Sequence, residues 1–386
     1  MKFFHLSDLH IGLKLINHDL REDQEYILGS IVKAAGEEKP DAIVIAGDIY
    51  DKAVPSAEAV DVFDQFISDL SEEVPDAVVM MISGNHDSAS RVNCFRRLLS
   101  RQNLHMVGQP PRQEGEYIER VVLRDGFGPV NFYLLPFVKP SMVKQVTGVD
   151  DKGNNLSYDA TVRSLINRED IREKERNVLV SHQFYLPRGK SADDVERMDS
   201  EIRTVGNIDQ VSADVLKPFD YAALGHIHKP MKVGDERYRY CGTPLPCSIS
   251  EAGQQKGILV VEMGEKKEGP ARINIRTLPL VPLRQIRKIE GELRQVLEQA
   301  CPDYVSVLLT DKVDLDVIDM QERLRLAFPR LLEIRRETLR RADYSDAGIV
   351  ERTLNPFELC CEFFKDINDR EKDILRDVIH QIEGVK

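Results

Sequence analysis

The chain has 386 residues, 42% of them apolar and 31% charged, and a net charge of −12. Such a length predicts more than one domain, and the composition excludes a disordered chain or one built from membrane spans. The acidic balance excludes an indiscriminate polyanion binder but leaves room for local basic surfaces.

In chain order, the N-terminal stretch MKFFHLSDLHIGL starts apolar but is interrupted by His5, Ser7, Asp8 and His10. No signal-peptide core forms, so a cytoplasmic location is expected. Over the first 140 residues, β-branched runs (KFFHLSD, DAIVIAGD, AVVMMISGN) alternate with helical patterns near 21–38, 56–70 and 91–101. This βαβ rhythm indicates an α/β fold. Further strands are expected at VNFYLLPF, RNVLVSHQF, YAALGHIH and RYRYCGTP, and a hairpin at GILVVEMG and RINIRTLPL, so the later sheet reads as more antiparallel. Two polar insertions, 148–176 and 186–214, read as helical surface loops.

After PLVPLRQIRKIEG the pattern changes. Residues 283–340 read as a small α/β unit: a strand near 283–290, a helix near 291–300, the strand YVSVLLT, a helix near 316–328 and the arginine-rich strand LLEIRRETL. Residues 321–341 carry seven Arg against three Glu, a net of +4, whereas 342–386 carry eleven acids against six bases, a net of −5. That reversal marks a boundary near 341. Asn355, Pro356 and Glu358 then offer a helix start, and Ile374, Leu375, Val378, Ile379 and Ile382 recur at helical spacing. The six cysteines include no C-x-x-C pair, so reduced thiols are expected rather than a disulfide framework or zinc ribbon.

The chemistry-bearing residues gather where apolar runs stop. FFHLSDLH ends in Asp8 and His10, AIVIAGDIYD in Asp48 and Asp51, and VVMMISGNHD in Asn85, His86 and Asp87; NVLVSHQ ends in His182 and YAALGHIH in His226 and His228. Open α/β sheets bind ligands at the carboxyl ends of their strands. Carboxylates and imidazoles without thiolates suit Mn, Fe or Zn in a reactive site better than a structural zinc cage. Seven candidate ligands exceed the needs of one ion; a two-metal site accounts for them if Asp48 bridges, and phosphoester hydrolysis is the matching reaction class.

The ordered set D-x-H, G-D-x-x-D, G-N-H-D, a lone strand-end His and G-H-x-H resembles the calcineurin-like metallophosphoesterase family, and its wording resembles the DNA-repair nucleases of that family. The resemblance implies a four-layer αββα sandwich over residues 1–282, a small α/β capping domain over 283–340 that positions DNA, and a helical partner-binding segment over 341–386. It implies one ion on Asp8, His10, Asp48 and His228 and a second on Asp48, Asn85, His182 and His226, most naturally Mn(2+), with His86 as the catalytic histidine. Asp51 stands where archaeal relatives carry a second histidine, and Asp87 either contacts substrate or orients backbone. Arg91, with Arg335, Arg336 and Arg340 of the basic cluster, are candidates for DNA phosphate contact or for solvated, salt-bridged surface.

The implied activity is 3′–5′ exonuclease action on duplex ends and endonuclease action on hairpins, as a homodimer within a heterotetramer with a coiled-coil ATPase at the nucleoid. The sequence has no G-x-x-x-x-G-K-[ST], so ATP would be bound by that partner. A small-molecule phosphodiesterase or phosphatase on the same scaffold is the alternative, weakened because GDIYDKAVPS lacks the Arg-Gly that usually follows this motif in the protein phosphatases.

Overall fold

The computed structural model describes residues 1–187, 189–190, 198–201, 209–311, 316–337 and 371–372. Strands β1 (Lys2–Leu6), β2 (Ala42–Ala46), β3 (Val78–Ile82) and β4 (Leu104–Val107) run parallel, linked by helices α1 (Arg21–Glu38) and α2 (Ala57–Glu73). A second sheet follows, from β5 (Glu119–Asp125), β6 (Gly128–Leu135), β7 (Arg176–His182), β8 (Tyr221–Gly225), β9 (Met231–Val233) and β10 (Asp235–Tyr240), with helices α3 (Pro140–Thr147) and α4 (Tyr158–Asn167) between β6 and β7. The chain then returns to the first sheet as the antiparallel hairpin β11 (Lys256–Met263) and β12 (Ile273–Leu280), in the order β12-β11-β1-β2-β3-β4.

Strand periodicity sorts the core into layers. Phe4, Leu6, Ile43, Ile45, Val79 and Met81 face α1 and α2, where Ile27, Ile31, Val62, Phe66 and Leu70 meet them. Their neighbours Phe3, Val44, Met80 and Ile82 point the other way, against Phe132, Leu134, Val178, Val180 and Tyr221 of the second sheet. On that sheet's far side, Tyr133, Leu135, Leu179 and Leu224 pack with Val143 of α3 and with Val162, Leu165 and Ile166 of α4. The result is helix, sheet, sheet, helix, the expected αββα sandwich.

Three expectations change. The second sheet is parallel through β6, β7, β8 and β10, and antiparallel only at its edges, because its strands too are joined by crossovers. The helix expected near 91–101 is two short turns, Ala89–Val92 and Arg96–Leu99, broken at Phe95 with φ 56°. The insertions are not purely superficial: α4 buries Val162, Leu165 and Ile166, and Met198 and Glu201 are buried. No helix among the described residues is long and apolar enough to cross a membrane.

Strands β13 (Ile286–Gly291), β14 (Tyr304–Leu309) and β15 (Arg330–Arg336) form a parallel sheet, with helices α5 (Leu293–Leu297) and α6 (Val317–Ala327) as crossovers. Residues 1–337 form one unit and 338–386 another. Apart from Glu371 and Lys372, the helical segment expected at 341–386 lies outside the described residues, as does Arg340. The small sheet joins the sandwich through apolar contacts of Ile286, Tyr304 and Leu332 and through a buried polar contact. Asp23, 1% exposed in α1, accepts hydrogen bonds through Oδ2 from Tyr304 Oη and Arg284 Nη1, both at 2.8 Å.

Removing one partner from a buried charge leaves it desolvated and uncompensated, which costs far more than a surface pair. Arg284→Ala is therefore expected to lower the unfolding free energy by about 3 kcal/mol, and Tyr304→Phe by about 1 kcal/mol, in urea titrations followed by circular dichroism. An unchanged midpoint for Arg284→Ala would mean that apolar packing alone holds the small sheet.

Candidate metal centre

The loops after β1, β2, β3, β7 and β8 converge at one edge of the sandwich. Those after β1 and β2 are tied to each other: Asp8 N donates to Gly47 O (2.9 Å), His10 N to Asp48 O (3.1 Å) and Ile11 N to Ile49 O (3.0 Å). This course forces Asp8, His10, Asp48 and His226 to positive φ (53°, 44°, 49° and 103°). Non-glycine residues rarely accept that conformation, and such strain concentrates at functional sites. Gly84 and Gly225 permit the convergence: a Cβ on Gly84 would collide with the Asp48 carboxylate, and one on Gly225 with Ala46 O.

The carboxylates and ring nitrogens meet inside. Asp48 Oδ2 lies 3.2 Å from His182 Nε2 and 3.8 Å from His10 Nε2, and Asp48 Oδ1 accepts from His86 N at 2.8 Å. Asn85 Oδ1 lies 3.0 Å from His182 Nε2 and 2.8 Å from His226 Nδ1. Asp8 accepts from His226 N (3.1 Å) and Ser7 Oγ and sits 4.0 Å from His228 Nε2, which in turn faces His10 Nε2 at 3.1 Å. All seven candidate ligands thus share one cluster, with Asp48 between the group Asp8, His10, His228 and the group Asn85, His182, His226.

This donor set fits divalent cations. Asp8, His10, Asp48, His182 and His228 are each at most 2% exposed, and His10 Nδ1 has no hydrogen-bond partner among the described residues. His182 Nδ1 donates to Ala46 O at 2.8 Å, which turns the Nε2 lone pair toward Asp48 and Asn85, the usual preparation of a metal-binding imidazole. Burial pushes the Asp8 carboxyl up to about 6 despite His182 and His228 nearby. Burial works the same way on Asp48, but His182 and His10 outweigh it and hold that carboxyl low. Two desolvated carboxylates with imidazoles facing one another call for added positive charge.

The remaining candidates divide. His86 is half-buried at the mouth, its ring 4.8 Å from that of His10, and its Nδ1 donates to the Asp51 carbonyl at 2.9 Å. Asp87 accepts from Ile49 N, Tyr50 N and Gly84 N at 2.9–3.0 Å, so its carboxylate faces backbone and pins the Asp48 loop to the Asn85 loop. Asp51 Oδ1 lies 3.9 Å from His10 Nδ1. Arg91 is exposed beyond the Asn85 loop. Arg335 and Arg336 lie on β15, not among the ligands, and Arg335 bonds Glu333 at 3.0 Å.

Several residues with no motif also reach the cluster. Gln24 in the first turn of α1 donates to His10 O (2.7 Å) and accepts from Gly12 N (3.0 Å). Ser200, Glu201, Glu251 and Lys256 surround His228. The one available signal was a lysine opening the apolar strand KGILVVEM, five residues after a glutamate.

Residues 1–230 match the calcineurin-like phosphoesterase family, and residues 279–368 match the SbcD C-terminal domain, also described as the type 5 capsule protein repressor C-terminal domain. Among solved structures, a dimetal phosphatase from Danio rerio is 15% identical with a TM-score of 0.40, covering 73% of this chain and 99% of that one. The protein TT1561 of Thermus thermophilus is 14% identical at 0.38, covering 67% and 93%, and GAP50 of Plasmodium is 13% identical at 0.40, covering 86% and 96%. The family assignment rests on the sequence matches, which agree with the observed sandwich. The chain belongs to the calcineurin-like metallophosphoesterase family and is of SbcD type in its C-terminal domain.

Proposed function

We propose that this protein is a two-metal DNA nuclease, a 3′–5′ exonuclease on duplex ends and an endonuclease on hairpins, working with an SbcC-type coiled-coil ATPase in DNA end processing, repair and recombination. The observation that carries it is the SbcD C-terminal match behind the buried ligand cluster. One ion would be held by Asp8, His10, Asp48 and His228, the other by Asp48, Asn85, His182 and His226, with Mn(2+) the natural occupant of such a mixed oxygen and nitrogen set. Together the ions would supply a hydroxide nucleophile and neutralise phosphoryl charge.

The protein's own contribution is placement and proton handling. His86 Nδ1 donates to the Asp51 carbonyl, which leaves Nε2 as the ring nitrogen that would meet the substrate. That suits it to protonate the leaving sugar oxygen. In this reading Asp51 orients His86 through its backbone, and Asp87 fixes the relative position of Asp48 and Asn85. The small sheet at 283–340 would guide DNA, with Arg91, Arg335, Arg336 and Arg340 as phosphate contacts. Residues 341–386 would bind the ATPase. Exposed Phe95 and Leu98, 73% and 60% accessible, offer apolar surface for the second copy of a homodimer within the heterotetramer.

Incubation with Mn(2+) and an end-labelled linear duplex is expected to shorten the DNA, and chelator to stop it. His86→Ala should reduce the rate by about 10² to 10⁴-fold while equilibrium dialysis still finds bound Mn(2+). Hydrolysis of a generic phosphodiester dye without duplex cutting, even with the ATPase added, would assign the site to a small substrate instead. Truncation after residue 341 should keep dye hydrolysis and end co-elution with the ATPase; co-elution that persists would place the partner surface on residues 1–341.

A further inference from the structure

His228 is fixed at every polar point except one. Its backbone N donates to Glu201 Oε1 at 3.0 Å, and its carbonyl accepts from Lys256 Nζ (3.0 Å) and Thr243 N (3.2 Å). Its Nδ1 lies 2.7 Å from Ser200 Oγ, and that hydroxyl lies 2.8 Å from Glu251 Oε1. A hydroxyl has one proton to give, and an ionised carboxylate can only accept. The chain therefore runs in one direction, from Nδ1–H to Oγ and from Oγ–H to Oε1. This fixes the tautomer and leaves the Nε2 lone pair aimed at His10 and Asp8.

Glu251 is built into place for that role. It is fully buried, its Oε1 also accepts from Ser248 Oγ (3.1 Å), and its Oε2 accepts from Thr243 Oγ1 (3.0 Å) and Lys256 Nζ (2.6 Å). Lys256, itself 3% exposed, thus compensates the carboxylate and holds the His228 backbone with the same ammonium. His182 Nδ1, by contrast, is held by a neutral main-chain carbonyl, Ala46 O.

We infer that Ser200 and Glu251, held by Lys256, are positioning residues forming a carboxylate–hydroxyl–imidazole relay that sets the strength of one metal position, the one His228 serves, and not the other. Hydrogen-bonding an imidazole to a carboxylate raises its basicity as a ligand, and loss of such outer partners typically costs 10–100-fold in metal affinity. The inference rests on the two-ion reading of the site. Ser200 comes from the 186–214 insertion, so that segment contributes to the metal centre.

The test is Mn(2+) binding to the full-length chain by equilibrium dialysis, with thermal unfolding of the metal-free protein alongside. Wild type should bind two ions. Ser200→Ala, which removes one half-buried hydroxyl, should leave the melting temperature unchanged within a few degrees, weaken one ion by about 10–100-fold and spare the other. Ser200→Thr should restore both, and Glu251→Gln should weaken the same ion as Ser200→Ala. Two unaltered affinities in Ser200→Ala, or equal weakening of both ions, would overturn the relay. Wild type binding fewer than two ions would overturn the two-ion reading itself.

Discussion

The structure is organised around an electrostatic problem: two carboxylates, Asp8 and Asp48, buried to 2% exposure or less beside four imidazoles. Burying a charge is tolerated only when an opposite charge or a full set of hydrogen bonds offsets the lost hydration. Around Asp48 burial is outweighed by the neighbouring His182 and His10, and the His86 backbone N donates to its carboxylate. Asp8 has weaker help, from Ser7 and the His226 backbone, and burial raises its carboxyl accordingly. Close-packed carboxylates and ring nitrogens are an arrangement divalent cations stabilise, and binding one there would be coupled to folding of the strand ends.

The backbone accommodates that arrangement at visible cost. Four of the site's side chains reach the centre only because their residues adopt left-handed conformations, and such strain persists only where the surroundings over-determine it. The restraint comes from the paired loops after β1 and β2, from Asp87 holding three backbone N–H groups across two loops, and from Gln24 clasping the His10 loop. These bonds run through backbone groups, yet each sets where a ligand side chain sits.

Much of this was legible in the sequence because period and punctuation are local signals. Alternating apolar runs that end in Asp, Asn or His announced both the parallel strands and the residues at their ends, and G-D-x-x-D, G-N-H-D and G-H-x-H gave the set its order. Parallel pairing in the second sheet was not legible, since a strand's own pattern does not name its neighbour. The break at Phe95 was hidden because an arginine- and leucine-rich stretch has good helix propensity, and nothing in its pattern marks the residue that takes φ 56°. Ser200 and Glu251 were invisible for a different reason: 51 residues separate them, and only folding makes either a neighbour of His228.

Under the proposed two-ion reading, the two metal positions differ in what holds them. Asn85, His182 and His226 stand on strand ends of the central sheets and are oriented by a main-chain carbonyl and by one another. The position of Asp8, His10 and His228 is instead tied to the periphery. Gln24 grips His10 from the same helical turn whose Asp23 binds Tyr304 of the small C-terminal sheet and Arg284 just before it. Ser200 reaches His228 from the insertion after β7, and Glu251 from the turn before β11. In that reading, what shifts α1's first turn or Ser200 bears on the position His228 serves, while Asn85, His182 and His226 are held by the sandwich.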